Sequence, residues 1–202
     1  MQTKSEEAAR LCNAPVEAMA ASAMNESALN AFLRSVERRA LRMAQMAVRD
    51  RDDALDIVQD AMLTLVRKYR TRSPEDWRPL FHRILQSRIT DHYRRRAVRQ
   101  KIFGWLATPA VPDDEMDVIG TAPDPHSVDP AAQIALEDGA AALARAVARL
   151  PLRQQQAFLL RTWEGLDVAA TAAAMGCSEG SVKTHYSRAM GALQPVLEEH
   201  FG

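Results

Sequence analysis

The amino-acid sequence predicts an all-α protein, with two small helical domains joined by a flexible acidic linker. Ala, Leu, Arg and Met are abundant, whereas the 202 residues include only 8 Gly and 5% aromatic residues. Apolar residues recur at steps of three and four in both halves, as on the buried face of a helix. Between the halves, residues 104–131 contain five Pro among Asp, Ala and Thr without any periodicity, which indicates a linker.

Residues 28–103 are predicted to form the first domain. Its first helix covers residues 28–49, and residues 1–27 before it are predicted to be a disordered or weakly helical extension. The second helix, residues 50–70, begins with acidic residues and ends with basic ones, as the helix dipole favours.

The third helix is predicted to begin in the sequence SPEDW. Ser73 is the expected N-cap, Pro74 the first helical residue, and Asp76 the acid three residues after the cap. Pro79 fits only in a first turn, so a later position would make the helix begin there instead.

Residues 132–202 are predicted to form a second domain that contains a helix-turn-helix. Ala172, Gly176 and Val182 have the spacing of this motif. The small Ala172 lets the two helices approach, Gly176 can adopt the left-handed conformation of the turn, and Val182 is expected in the core. Ser178 is the expected cap of the second helix. Its exposed side is short, polar and basic, which suits a DNA major groove, and carries Glu179, Ser181, Lys183, Thr184, His185, Ser187 and Arg188. An ordinary helical hairpin fits the spacing equally well, but the density of these groups favours DNA.

Charge is segregated along a chain whose net charge is zero. Residues 30–101 hold 18 Lys and Arg against 9 Asp and Glu, whereas residues 102–131 hold 6 acids and no base. The basic residues 30–101 predict an anionic partner. The acidic linker could shield this positive charge when the partner is absent. The two cysteines, Cys12 and Cys177, are far apart and lack metal-ligand spacing, which predicts neither a disulfide nor a zinc site. The longest apolar runs are far shorter than the roughly 20 residues that a membrane span needs, and the N-terminal residues do not have the pattern of a signal peptide. We therefore expect a cytoplasmic protein without membrane insertion, metal or cofactor.

Three stretches in this order resemble the extracytoplasmic-function group of bacterial RNA polymerase sigma factors, over residues 28–197. DALDIVQDAMLTLVRKY is similar to the part of region 2 that binds core polymerase, and WRPLFHRILQSRITDHYRRR to the segment that melts and reads the minus-ten element. LPLRQQQAFLLRTWEGLDVAATAAAMGCSEGSVKTHYSRAMGAL is similar to region 4, which reads the minus-thirty-five element. The resemblance implies two domains, region 2 and region 4, on either side of the linker.

The resemblance also implies partners and site residues. The partners would be core RNA polymerase through its clamp and flap regions, promoter DNA in duplex and single-stranded form, and an anti-sigma factor, which is a common partner in this family. Residues matching the polymerase-binding stretch are Leu55, Asp56, Gln59, Asp60 and Leu63. Residues matching the minus-ten stretch are Trp77, Arg83, Ser87, Arg88, Asp91, Arg94, Arg95, Arg96 and Arg99.

Aromatic residues near the basic run could stack on an extruded base. Phe81 and Tyr93 lie on the apolar stripe and are expected in the core, whereas Trp77 and Trp105 are expected to be freer. The chain has Gln86-Ser87 where relatives often have Arg-Asn, which affects how the minus-ten element would be read.

Two other functions are compatible with parts of the sequence. SVKTHYSRAM is also similar to the recognition helix of response regulators, but residues 28–103 show no alternation of strands and helices as in a receiver domain. A helix-turn-helix regulator that acts without polymerase is therefore the alternative. A metal enzyme using His82, Asp91 and His92 is disfavoured because their spacing is poor for one metal. We expect no catalytic residue in this chain.

Overall fold

The computed structural model describes the backbone of residues 3–103 and 130–202, and the side chains of residues 24–98 and 138–202. Within these residues the chain is helical and contains no strand, which confirms the all-α prediction. The helices are α1 (Thr3–Val48), α2 (Arg51–Tyr69), α3 (Pro74–Phe103), α4 (Pro130–Arg149), α5 (Leu152–Phe158), α6 (Val168–Met175) and α7 (Glu179–Phe201). A π-helical turn, Leu159–Trp163, follows α5 directly. Most of the predicted linker, residues 104–129, and Trp105 with it, lies outside the described residues.

Helices α1, α2 and α3 pack together in the first half of the chain. α1 is continuous through residues 27 and 28, where the sequence predicts a boundary between an extension and the first domain. The turn into α2 uses Arg49, a non-glycine residue with φ 58°, and Asp50, whose carboxylate accepts a 2.9 Å hydrogen bond from the N–H of Asp53. Asp50 is therefore the N-cap that the acidic start of α2 suggested.

Helix α3 begins at Pro74 as predicted but does not break at Pro79. The expectation that Pro79 fits only in a first turn is wrong. Pro79 has no N–H to donate to the carbonyl of Glu75, yet both residues are exposed, so water can satisfy that carbonyl. The hydroxyl of Ser73 donates to Glu75 Oε2, 2.9 Å away, at the same exposed end.

The second half consists of α4 to α7 and the π-helical turn. The sequence predicted one helix from Pro151 to Gly165, but its last part is the π-helical turn, where the N–H of Glu164 donates to the carbonyl of Leu159, five residues earlier. Gly165, with φ 66°, ends this segment.

The two halves also pack against each other. Helix α6 lies against α3, and α4 lies against the end of α1. The sequence of α6 is VAATAAAM, and its small side chains allow the backbone of α3 to come close. Buried residues of both halves consequently form one continuous core.

Candidate polymerase and nucleic-acid interfaces

The predicted polymerase-binding residues lie together on the outer face of α2. Asp56, Gln59, Asp60 and Leu63 are exposed, and Leu55 is half-buried. Leu63 keeps 49% of its surface exposed and so adds apolar area to this face. The opposite side of α2 is buried in the core through Ala54, Ile57, Val58, Ala61 and Leu65. This face, which we call the α2 patch, therefore combines acidic and apolar groups on the protein surface.

The predicted minus-ten residues after Trp77 follow α3. Arg83, Ser87 and Arg94 are exposed at helical spacing and lie along one side, and Arg95 and Arg96 are also exposed. Asp91 is half-buried on the same side, with its Oδ1 3.5 Å from Arg94 Nη1. Arg88 faces α2 and donates to Thr64 Oγ1 at 3.3 Å. Arg99 belongs to α3, but its side chain lies outside the described residues.

Trp77 is not free, contrary to the prediction. Its side chain is 1% exposed, its Nε1 donates to the carbonyl of Tyr69 at 3.1 Å, and its ring centroid lies 6.0 Å from that of Phe32. The sequence contained the signal, because Trp77, Phe81 and Leu85 are four residues apart and all three are buried. Trp77 is therefore a core residue at the start of α3.

Tyr93 is more exposed than predicted. Phe81 is buried as expected, whereas Tyr93 is 39% exposed and fixed by a 2.6 Å hydrogen bond from its hydroxyl to the carbonyl of Ala47. Burial raises the pKa of the Tyr93 hydroxyl, and this effect outweighs the lowering by Arg49 and Arg96, so the hydroxyl remains a donor. Tyr93 thus presents part of its ring beside the arginines.

The helix-turn-helix has the predicted local geometry in α6 and α7. Gly176 adopts the left-handed conformation with φ 62°, and Val182 is buried. The Ser178 hydroxyl caps α7 by accepting from the N–H of Ser181 at 3.2 Å. At the start of α6, Asp167 accepts from the N–H of Ala170 at 2.6 Å, a cap that the sequence analysis did not identify.

The predicted DNA-reading side chains of α7 are accessible. Those exposed are Glu179, Lys183, Thr184, Ser187 and Arg188, and those half-buried are Ser181 and His185. Beside them, Arg161 lies over the ring of Tyr186 at 6.0 Å, and Thr162 Oγ1 is 3.3 Å from the Tyr186 hydroxyl. The structure therefore extends the polar surface of α7 onto the π-helical turn.

Two family profiles match the two halves in order. The profile described as Sigma-70 region 2 matches residues 29–99, and the profile described as Sigma-70, region 4 matches residues 140–193. ECF RNA polymerase sigma factor SigF of Caulobacter vibrioides is 33% identical over 143 residues, which cover 70% of this chain and 69% of SigF. This chain belongs to the extracytoplasmic-function sigma factors.

Other relatives and a solved structure agree with this assignment. RNA polymerase sigma-E factor of Streptomyces avermitilis is 31% identical, with 83% of each chain covered, and SigM of Mycobacterium tuberculosis is 29% identical, with 84% of this chain and 77% of SigM covered. The sigma factor RpoE from Bartonella quintana, solved in complex with the anti-sigma factor NepR, has the same fold. Its TM-score is 0.58 at 22% identity, and 83% of this chain and 96% of RpoE are covered.

Across residues 24–98 and 138–202, no group of three or more His, Cys, Asp or Glu side chains could hold a metal ion. None of the helices in the described part of the chain is both long and apolar enough to cross a bilayer.

Proposed function

We propose that this sigma factor binds core RNA polymerase and directs promoter-specific transcription initiation as a non-catalytic subunit in the cytoplasm. The observation that carries the proposal is that one chain presents two separate surfaces. The α2 patch lies in the region 2 half, and an unobstructed recognition helix, α7, lies in the region 4 half. A regulator acting without polymerase would need the recognition helix and would have no use for the α2 patch.

The α2 patch would bind the clamp of core polymerase. Asp56 and Asp60 are exposed acids in an otherwise basic half of the chain, so they suit a basic partner surface. Leu63 and Leu55 would contribute apolar area that water leaves when the partner binds. Gln59 lies between the two acids and can donate and accept hydrogen bonds at the same surface.

The outer side of α3 would hold the minus-ten element. Arg83, Arg94, Arg95 and Arg96 would contact phosphates as the strands separate, and Arg88, Asp91 and Ser87 would lie near the bases. Capture of unstacked bases offsets part of the melting cost, which is a few kcal/mol per base. The buried ring of Trp77 takes no part in this, whereas the exposed part of the Tyr93 ring is available for stacking.

Helix α7 would read the minus-thirty-five element in the major groove. Lys183 and Arg188 can contact phosphates or the edge of a guanine. The shorter polar side chains would hydrogen-bond to base edges directly, and these are Thr184, His185 and Ser187. The region 4 half would also contact the flap of polymerase, and the acidic linker would run through the polymerase between the two halves. An anti-sigma factor is a further proposed partner.

Run-off transcription tests this function directly. Purified core polymerase would be assayed with and without the protein on a library of promoter fragments. Initiation that depends on the protein, from a defined subset of fragments, is the expected result. Binding to duplex DNA without binding to core polymerase and without initiation would contradict the proposal, and would favour the helix-turn-helix regulator.

A further inference from the structure

The π-helical turn places two of its side chains against the recognition helix α7. The hydrogen bond from the N–H of Glu164 to the carbonyl of Leu159 spans five residues instead of four, which turns the enclosed side chains relative to a continuous α-helix. Thr162 Oγ1 lies 3.3 Å from the hydroxyl of Tyr186, and the guanidinium of Arg161 lies 6.0 Å from the centre of the same ring. Three hydrogen-bonding side chains from two elements therefore meet at one place.

These three side chains, which we call the π-turn cluster, retain hydrogen-bond donors for a ligand. The Thr162 and Tyr186 hydroxyls each carry one hydrogen, and the bond between them uses only one of the two. The guanidinium of Arg161 carries several N–H groups, and one of its nitrogens donates to the carbonyl of Leu166. Arg161 and Tyr186 are half-buried and Thr162 is exposed, so the cluster is accessible from solvent.

The cluster carries a positive charge that is not neutralised by a carboxylate. Across residues 24–98 and 138–202, Arg161 forms no ion pair. A guanidinium with hydroxyl donors beside it suits a phosphate group, because the fork of N–H groups matches two phosphate oxygens and the charges are opposite. The chemistry of the cluster therefore favours a phosphate as its ligand.

The position of the cluster indicates that this phosphate belongs to the DNA backbone. Tyr186 lies one turn after Lys183 on α7, so the cluster borders the side of α7 that carries the proposed DNA-reading residues. The π-helical turn also precedes α6, the first helix of the helix-turn-helix. In this motif the first helix crosses the DNA backbone while the second lies in the major groove. A phosphate at the edge of the groove would thus lie beside the cluster.

We propose that Arg161, Thr162 and Tyr186 bind one phosphate of the DNA backbone beside the minus-thirty-five element. The free hydroxyl hydrogen and the remaining N–H groups of Arg161 donate to the oxygens of this phosphate. This inference rests on the proposed function, since it specifies how the region 4 half holds promoter DNA. The cluster fixes the register of α7 in the groove and reads no base.

The test replaces single phosphates of the DNA by uncharged methylphosphonates. Duplexes are first selected from a random library by the full-length protein together with core polymerase, and each phosphate in and around the selected element is then replaced in turn. Affinity is measured for the natural chain and for Tyr186→Phe and Thr162→Val, which each remove one hydroxyl and keep the size of the side chain. Tyr69→Phe removes a hydroxyl from a half-buried tyrosine on α2 and is the matched control.

The natural chain should lose about 3- to 10-fold in affinity when one particular phosphate beside the element is neutralised. Tyr186→Phe and Thr162→Val should each bind the unmodified duplex about 3- to 10-fold more weakly, and should respond much less to that one replacement. At the other phosphates both variants should respond like the natural chain, and Tyr69→Phe should match it throughout. Arg161→Gln should lower the slope of log affinity against log salt concentration by about 1.

A purely structural role of the two hydroxyls would weaken binding to every duplex equally and would leave the response to each replaced phosphate unchanged. That result would overturn the phosphate site, as would failure to select any duplex. Run-off transcription that depends on the protein, together with an unchanged response in both variants, would refute the site and leave the proposed function standing. The expected response without initiation would support the site and contradict the proposed function.

Discussion

Trp77 donates a hydrogen bond from its Nε1 to the carbonyl oxygen of Tyr69, 3.1 Å away. Tyr69 is the last residue of α2, and its carbonyl also accepts a 3.0 Å hydrogen bond from the N–H of Arg72, so the indole N–H is its second donor. The bond fixes the start of α3 against the end of α2. The region 2 half therefore depends on Trp77 for its packing.

Trp77 is expected to determine stability and to have no direct effect on promoter melting. Trp77→Phe should lower the free energy of unfolding by about 1–2 kcal/mol through loss of the hydrogen bond, and Trp77→Ala by about 3–5 kcal/mol. Urea unfolding followed by circular dichroism measures both. Trp163→Phe changes an indole that is 36% exposed, so it is a control that should stay within about 0.5 kcal/mol. Full stability of Trp77→Phe with loss of melting would instead assign the ring to a base.

Substitution of Gly176 and of Gly191 by Ala should have opposite effects on the stability of the region 4 half. A Cβ at either position meets no atom within 4 Å, so only the backbone conformation differs. Gly176→Ala should destabilise the protein by about 1 kcal/mol because φ is 62°. Gly191→Ala lies inside α7 and should stabilise it by about 0.5–1 kcal/mol. Thermal unfolding of both variants measures the difference, and an equal effect of the two would contradict the left-handed turn.

The sequence predicted those features of the fold that depend on neighbouring residues. The turn at Gly176 and the cap at Ser178 follow from side chains within four positions of each other. The burial of Trp77 also has a local signal, since Trp77 lies four residues before Phe81 on the same side of α3. The contact of Glu164 with Arg78 joins residues 86 positions apart, and nothing in one sequence pairs residues at such a distance. The sequence therefore does not predict the role of Glu164, which is buried and contacts Arg78 and His82 of the region 2 half.

The α2 patch should control affinity for core polymerase without affecting stability. Leu63→Ala combined with Asp60→Asn should weaken binding about tenfold, because apolar area and charge complementarity are lost together. Fluorescence titration with core polymerase measures the affinity. The free energy of unfolding should change by less than about 0.5 kcal/mol, since both side chains are exposed. Glu37→Gln, which removes an exposed carboxylate on α1, should leave binding unchanged, and an equal loss in that control would mean that the effect is general electrostatics.

Lys183 is expected to bind a phosphate beside the major groove. Lys183→Ala should weaken binding of the reconstituted holoenzyme to promoter DNA, and should lower the slope of log affinity against log salt concentration by about 1. Filter binding at several salt concentrations measures the slope. Arg145→Ala, which removes an exposed positive charge on α4, is the control that should leave the slope unchanged. An unchanged slope with altered sequence preference would place Lys183 on a base edge.

The contact of Glu164 with His82 and Arg78 should make the packing between the two halves sensitive to acid. Burial alone would raise the pKa of Glu164, but the contact with His82 and the positive charges of Arg78 and Arg39 outweigh it, so the pKa lies below its ordinary value of 4.5. The unfolded chain then binds the proton more tightly than the folded chain. The stabilisation by Glu164 is complete above the ordinary pKa and is lost as the pH falls through the lowered pKa.

Acidification from pH 7 should therefore reduce the stability advantage of the natural chain over Glu164→Gln. Urea unfolding of the natural chain, Glu164→Gln and Glu37→Gln would be compared between pH 7 and pH 3.5, so that the other carboxylates cancel in the differences. The difference in unfolding free energy between the natural chain and Glu164→Gln should shrink towards low pH. The corresponding difference between the natural chain and Glu37→Gln should stay constant. A difference from Glu164→Gln that is equal at both ends of the range would show that the carboxylate of Glu164 does not hold the halves together.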